Sequence, residues 1–394
     1  MALRTLDDLD VRGKRVLVRV DFNVPLAEGG VGDDTRIRAA LLTINRLREQ
    51  GAAVLLASHL GRPKGAVDPR YSLAPVATRL SELLGMPVAF ASDTVGPAAQ
   101  KIAARLEPGQ VALLENLRFQ PGEEQNDRAF AEQLAALADC YVNDAFGAAH
   151  RAHASTAALA SLLPSAAGLL MEAEITALNK VLRDPEHPFV VIIGGAKVSD
   201  KIGVIESLLA TADAILIGGG MANTFLLAQG YQIGTSLAEP EQAELARELL
   251  TRAVDLGVAI QLPSDVVVAP SLDASEQHRT VTIEEVGADD AIFDIGPTTI
   301  ERFNERLDHA KTIVWNGPMG VFETPPFDNG TRGVAKAVAG AEGYAVVGGG
   351  DSVAAIEQAG LADGIDHIST GGGASLEFLE GRTLPGIAAL EVRR

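Results

Sequence analysis

Cysteine is almost missing from this chain: Cys140 is the only one in 394 residues, so no disulfide can close within it. That excludes the disulfide-stapled scaffolds of small secreted domains and fits a reducing, cytoplasmic compartment. Long apolar runs are missing too. None approaches the roughly 20 residues needed to cross a bilayer, and Met1-Ala2-Leu3-Arg4 leads into no signal-peptide core. Positive charge is scarce: 33 basic residues face 52 acidic ones, a net charge of −19. The overall field therefore repels phosphate backbones and anionic headgroups, so neither nucleic acid nor a membrane is an expected partner. Aromatic residues are few and no heptad pattern marks a coiled coil, which makes a monomer the expectation. An anionic metabolite could bind only where basic residues converge locally.

What is present reads as a folded chain, with 47% hydrophobic and 22% charged residues. Its length exceeds what one core usually organises, so two domains are expected. Short Val/Ile/Leu-rich runs, each closed by Gly, Asn or Asp and followed by an amphipathic segment, read as buried parallel strands. In the first half they cover 15–22, 52–58, 111–115 and 139–143; in the second, 189–193, 214–217, 259–262, 312–315 and 344–347. A helical stretch at 169–182 separates the halves and is stopped by Arg183-Asp184-Pro185-Glu186-His187-Pro188. The expected fold is α/β: two Rossmann-like three-layer domains with parallel sheets, joined by a helix hinge. The domains are placed at 1–168 and 185–374, with the interdomain helix and hinge at 169–184. A helical linker transmits rigid-body motion better than a Gly/Ser tether, so hinge closure is expected.

Ligands of open parallel sheets bind beyond the carboxyl ends of the strands. In the first half those ends carry Asp21-Phe22-Asn23 and Thr35-Arg36, then Ser58-His59-Leu60-Gly61-Arg62, then Glu115-Asn116-Leu117-Arg118, then Asp144 and Ala149-His150-Arg151-Ala152-His153. Any one arginine reads as solvated surface; their shared position in so acidic a chain suits an anion with several oxygens. Asp21 and Asn23 suit a hydroxyl, which they can both accept from and donate to. A small hydroxylated phospho-acid fits both observations. His150 and His153 have a spacing that zinc could use, but no further ligands accompany them.

Glycine dominates the strand ends of the second half: Gly194-Gly195, Gly218-Gly219-Gly220, Asn316-Gly317-Pro318, Gly348-Gly349-Gly350 and Gly371-Gly372-Gly373. Such loops bring backbone N–H groups close to a polyphosphate, although tight strand-to-helix turns need glycine regardless. Lys197 and Lys201 are expected four apart on one face at the start of a helix, where cations oppose the macrodipole and a polyphosphate would offset the penalty. Asp351 reads either as a helix N-cap or as a magnesium ligand. Glu323 could reach ribose hydroxyls or simply be exposed. The chain has no GxxxxGK[ST] loop, no GxGxxG after the first strand and no HRD or DFG, so it is neither a P-loop enzyme nor a protein kinase.

Together, RVDFNVP at 19–25, DDTRI at 33–37, SHLGRP at 58–63, ENLRF at 115–119, AHRAHAS at 149–155, GGAKVSDKI at 194–202, GGGMANTF at 218–225, DIGP at 294–297, WNGPMGVFE at 315–323 and GGGDSV at 348–353 closely resemble the phosphoglycerate kinase family. The resemblance runs from end to end. It implies a 3-phosphoglycerate site at Asp21, Phe22, Asn23, Arg36, His59, Leu60, Gly61, Arg62, Arg118 and Arg151. It also implies an ATP or ADP site at Lys197, Lys201, Gly218, Gly219, Asn316, Glu323, Gly350, Asp351, Ser352 and Val353, with Asp351 helping to hold Mg2+. Residues 375–394 would return to the first domain. The implied reaction moves a phosphoryl group between MgATP and 3-phosphoglycerate, giving MgADP and 1,3-bisphosphoglycerate, with Arg36 and Lys197 as the catalytic cations. Its acceptor is a carboxylate, ionised at neutral pH, so no general base is needed. An inert binding regulator and a kinase for another carboxylate such as acetate are the competing readings; the arginines favour an acceptor that carries its own phosphate.

Overall fold

The computed structural model describes residues 3–27 and 30–391. The chain divides into two compact units, Met1–Ile175 with Thr383–Arg394, and Thr176–Arg382.

In the first unit, strand β1 (Arg15–Arg19) leads into a hairpin of β2 (Leu26–Ala27) and β3 (Gly30–Val31). Then come β4 (Ala53–Ala57), β5 (Val88–Phe90), β6 (Val111–Leu113), β7 (Cys140–Asn143) and β8 (Ser165–Ala167). Apart from the hairpin they form one sheet in the order β5-β6-β4-β1-β7-β8, every pair parallel. The AVLLA of β4 is buried throughout, as a strand covered by helices on both faces must be. Val16, Val18, Val54 and Leu56 pack with Ile37 and Ile44 of the Thr35–Glu49 helix into one core. From β1 the chain moves first to β4 on one side and later to β7 on the other, so the loops after β1 and β7 diverge and leave a crevice.

The second unit contains β9 (Phe189–Ile193), β10 (Ala214–Ile217) and β11 (Ala259–Gln261), then β12 (Asp265–Ala269), β13 (Arg279–Thr282) and β14 (Ala291–Ile295), and finally β15 (Thr312–Asn316), β16 (Tyr344–Gly348) and β17 (His367–Ile368). A parallel sheet runs β11-β10-β9-β15-β16-β17, the dinucleotide-fold order, with its switch point between β9 and β15. The antiparallel sheet β13-β12-β14 was not anticipated. Its central strand β12, DVVVA, is buried throughout, β14 is partly buried and β13, RTVT, is largely exposed and lacks the continuous apolar run that marks a buried parallel strand. The expected strand at 111–115 stops at Leu113, because the Glu115 carboxylate turns back to accept from the N–H of Leu73 and Asn116.

Helix Leu169–Arg183 crosses the boundary between the units. The chain changes unit again at Thr383: the Gly373–Leu379 helix packs on Ile202–Leu208, while Gly386 N–H donates to Ala149 O and Leu3 bridges to Glu391. Residues 392–394 of the segment expected to return lie outside the described residues. Among the described residues no helix is long and apolar enough to cross a membrane.

The start of the Leu169–Arg183 helix is bound from below. Asp144, just past β7, accepts through Oδ1 from the N–H of Leu170 and Met171 at 3.0 and 3.2 Å, and Leu169 N–H donates to Thr43 Oγ1. Gly168 is required there, since a Cβ would lie 2.1 Å from Asp144 Oδ1. Among the described residues Asp144 Oδ2 is buried without a partner, and desolvation pushes the carboxyl up to about 7 against the hydrogen bonds it receives. A carboxyl raised above its unfolded value contributes stability that is fully present below about pH 4 and is lost as pH climbs from there to about 7. Asp144→Asn puts an amide where the proton sits. It should leave stability nearly unchanged below about pH 4 and raise it progressively up to about pH 7, by more than about 1 kcal/mol at about pH 8, read by urea unfolding; a loss of stability at the alkaline pH would contradict a carboxyl raised by burial.

Candidate active site

In the first unit the residues expected from sequence gather at the crevice beyond β1, β4 and β6. Arg36 Nη1 donates to Asp21 Oδ2 at 3.1 Å and to Asn23 O at 3.3 Å. Asp21 Oδ1 accepts from Asn23 N–H, and Asn23 Oδ1 accepts from Gly61 N–H at 2.9 Å. Arg118 Nη1 donates to Gly61 O at 2.7 Å, while its Nε lies 3.1 Å from Glu124 without hydrogen-bond alignment. These bonds tie three strand ends into one cluster. Phe22 and Leu60 are buried beneath it and act as its floor.

The remaining cations differ in how they are held. Arg151 is half-buried, with Nε on His150 Nε2 at 3.0 Å. Arg62 is exposed and has no partner among the described residues. Burial, followed by the nearby charges of Arg19, Arg118 and Arg151, holds His59 well below the ordinary imidazole value, and His153 is pulled down to about 4. Both histidines are therefore neutral near pH 7, and the positive potential of the crevice comes from guanidinium groups.

At the switch point of the second unit, backbone touches backbone. Gly194 N–H donates to Asn316 O, Gly195 N–H to Pro318 O and Gly219 N–H to Met319 O. A Cβ on Gly194 would lie 2.0 Å from Pro318 O, and one on Gly317, whose φ is +102°, 2.2 Å from Gly194 O. These glycines are required by packing as well as by any ligand.

The two lysines are not on a helix. The helix begins at Ile202, with Lys201 as its N-cap residue, and 198–201 form a turn closed by Lys201 N–H to Val198 O. Ser199 fastens that turn through its N–H and hydroxyl to Glu239. Lys197 is exposed, whereas Lys201 turns inward and donates to Asn316 Oδ1. Desolvation lowers Lys201 to about 8 despite the opposing charges of Asp200, Asp351 and Glu380. Asn316 Nδ2 is buried without a partner among the described residues.

Gly350, Asp351, Ser352 and Val353 open the helix Gly350–Gln358. Gly349, at φ +90°, is the N-cap, so Asp351 is not one; its carboxylate lies in the first turn. Ser352 Oγ accepts from Gly317 N–H at 2.6 Å, linking this turn to the β15 loop. Beside it a cavity of about 650 Å³ is lined by Gly195, Gly219, Glu323 and Asp351. Gly218 packs against Met319, which lines the cavity. The other wall is apolar and was missed from sequence: Leu237, Leu272, Phe293 and Val321. Leu237 and Leu272 stand at the rim as large exposed apolar side chains. Asp294, also in the wall, is pushed up to about 8 by burial and so adds no negative charge at neutral pH. The arrangement offers an apolar slot for a flat ring, with glycine N–H groups, a helix start and a desolvated lysine for phosphates.

The family model for phosphoglycerate kinase matches residues 6–382. This chain belongs to the phosphoglycerate kinase family. It is 60% identical to the phosphoglycerate kinase of Thermomicrobium roseum over 388 residues, 98% of this chain and 99% of that protein. The enzyme of Moorella thermoacetica is 59% identical over 390 residues, covering 99% of both chains. Among solved structures, phosphoglycerate kinase from Coxiella burnetii superposes with a TM-score of 0.90 at 43% identity over 99% of each chain, and that from Pyrococcus horikoshii with 0.86 at 36% over 98% of each. As a member of the phosphoglycerate kinase family the chain is a kinase, and the two-sheet α/β architecture is that of the family.

In this family member the sole tryptophan reports on the glycine crevice, because Trp315 Nε1 donates to Gly317 O at 2.8 Å. Gly317→Ala should cost about 2–3 kcal/mol, read by Trp315 fluorescence in urea, and should blue- or red-shift the folded-state emission. Stability within about 0.5 kcal/mol of the parent would mean that the backbone contact is not tight.

Proposed function

We propose that the first unit binds 3-phosphoglycerate and the second MgATP, and that the enzyme reversibly transfers the γ-phosphoryl group to the substrate carboxylate, giving 1,3-bisphosphoglycerate and MgADP. The observation that carries this reading is the joining of Arg36 and Arg118 to the hydroxyl-matching pair Asp21 and Asn23 through Gly61, with Arg151 close to Arg118 and His59 and Arg62 next in sequence to Gly61. An acceptor bearing a phosphate, a hydroxyl and a carboxylate satisfies all of them. Acetate would leave most of these donors unused.

The chemistry asks little of proton transfer. The acceptor carboxylate is already ionised, and the neutral His59 and His153 need not act as bases. The need is for alignment and for neutralising the phosphoryl in flight. Arg36, held in place by Asp21 and Asn23, provides one cation; Lys197, exposed and without a hydrogen-bond partner among the described residues, provides the other. Lys201 and the first-turn N–H groups at Gly350–Val353 hold the remaining phosphates. Glu323 suits the ribose and the apolar wall the base.

Asp351 supplies a single carboxylate, and no group of three or more ligating side chains is found among the described residues. That donor set fits Mg2+ held jointly by protein and nucleotide phosphates rather than by a protein cage. When bound, the ion neutralises phosphate charge. Since the two substrates belong to different units, transfer in line requires the units to close around them and exclude water. The first and second units thus act as phospho-acid and nucleotide domains of a cytoplasmic monomer, with the Leu169–Arg183 helix as the hinge element.

A coupled assay of ATP consumption with 3-phosphoglycerate and magnesium, with acetate and water as controls, tests the reading. Only 3-phosphoglycerate should drive turnover. Arg36→Ala should lower kcat about a hundredfold or more, while Arg62→Ala should mainly raise KM for 3-phosphoglycerate by about tenfold. Equal turnover with acetate, or the reverse pattern in the variants, would overturn the assignments.

A further inference from the structure

We propose that Arg19 is a positioning residue that sets the tautomer of His59, so that His59 presents its Nε2–H to the phospho-acid as a neutral donor. The donor role rests on the function proposed above; the tautomer does not. Arg19 closes β1 and is fully buried within an apolar run, a place where arginine is seldom found. Its Nε donates to Ser155 Oγ at 2.8 Å, its Nη1 to Val20 O at 2.5 Å, and its Nη2 lies 3.1 Å from His59 Nδ1.

A guanidinium has donors only and keeps its proton in proteins. The nitrogen it faces must therefore offer a lone pair. His59 Nδ1 is bare and the proton sits on Nε2; the other tautomer, like the imidazolium, would set two N–H groups against each other. Arg19 is in turn aimed from behind, because Ser155 Oγ, which accepts from it, donates to the buried Glu123 at 2.6 Å, and Glu123 also accepts from Ser155 N–H at 3.0 Å.

The opposite edge of the ring has no such support. The His59 side chain is only 6% exposed, and among the described residues Nε2 has no hydrogen-bond partner. The ring is buried but Nε2 stays open at its edge, so an acceptor entering the crevice can reach it, and that role falls to the ligand. The charged and titratable groups around the ring are Arg19 from β1, Arg118 beyond β6, Arg151 and His153 beyond β7, and Asp21, whose Oδ1 is 3.9 Å from Nδ1. Asp21 is the only anion among them and is itself engaged by Arg36. Burial and the arginines prevail, so the ring stays neutral and its bond to an anion does not vary through the pH range where free imidazole titrates.

The test uses the full-length enzyme, isotope-labelled at histidine nitrogen, and two-bond proton–nitrogen correlation spectra with and without 3-phosphoglycerate; His59→Gln assigns the signal. His59 should show a bare Nδ1 and a protonated Nε2 on both sides of about pH 6.5, and 3-phosphoglycerate should shift Nε2. In Arg19→Met the ring should become a titrating tautomer mixture and KM for 3-phosphoglycerate should rise about tenfold with little change in kcat. Arg19→Lys should restore most of both. If Arg19→Met does not fold, Ser155→Ala, which frees the guanidinium, should give the same mixture in weaker form. An Nδ1-protonated ring or an imidazolium at neutral pH, or an unchanged tautomer in every variant that folds, overturns the proposal. If the tautomer is as stated and turnover is intact but the ligand leaves Nε2 unmoved, the donor role is overturned while the enzymatic reading stands. If the tautomer responds to Arg19 but 3-phosphoglycerate is not turned over, control by Arg19 is supported and the functional reading is the part that fails.

Discussion

Keeping positive charge out of water while satisfying most of its donors with neutral acceptors is the constraint on which both crevices depend, Arg36 on Asp21 being the exception. Arg19 is fully buried, Arg118 nearly so, and Lys201 is desolvated enough to fall to about 8. A buried charge is unfavourable unless hydrogen-bonded. Here the partners are mostly neutral: Ser155 Oγ, Val20 O and His59 for Arg19, Gly61 O for Arg118, Asn316 for Lys201. Neutral acceptors satisfy the donors yet leave the positive potential in place for an incoming anion. In a chain with a net charge of −19 this local arrangement is what makes anionic substrates acceptable at all.

The fold makes that arrangement possible. In a parallel sheet the strand ends carry their loops to one edge, and at the switch points those loops diverge. In the first unit the result is an open crevice into which side chains from three strand ends project. In the second the loops close on one another until Gly194 and Gly317 touch through their backbones, and N–H groups replace side chains as the main donors. The difference suits a compact phospho-acid in one case and an extended polyphosphate with a flat ring in the other.

Much of this was legible in the sequence, for identifiable reasons. Buried parallel strands are continuous Val/Ile/Leu runs, so β1, β4, β9, β10 and β15 could be found from pattern alone. Reading the residues just past them located Asp21, Asn23, Arg36, Gly61 and Arg118, which the hydrogen bonds join. In the antiparallel sheet the largely exposed β13 carries no buried-strand signal, whereas the apolar run of β12 was there to be read and was passed over, and with the sheet went the apolar wall of Phe293 and its neighbours. Lys197 and Lys201 were placed on a helix because their spacing allowed it; the turn fastened by Ser199 and Glu239 delays the helix until Ile202, and only tertiary contact could reveal that. Arg19 carried a signal that composition alone does not interpret, a charge inside an apolar strand. Its partners Ser155 and Glu123 are over a hundred residues away, beyond any local pattern.

The central claim is that a cation is held partly out of water until a phosphate arrives. It is tested most directly by counting protons during nucleotide binding, by calorimetry at about pH 8.5 in buffers of different ionisation enthalpy. With Lys201 at about 8 in the free enzyme and restored to its charged state by phosphate, binding should take up most of one proton, and Lys201→Met should abolish the uptake. Nucleotide binding with no proton uptake in the parent enzyme would contradict the account.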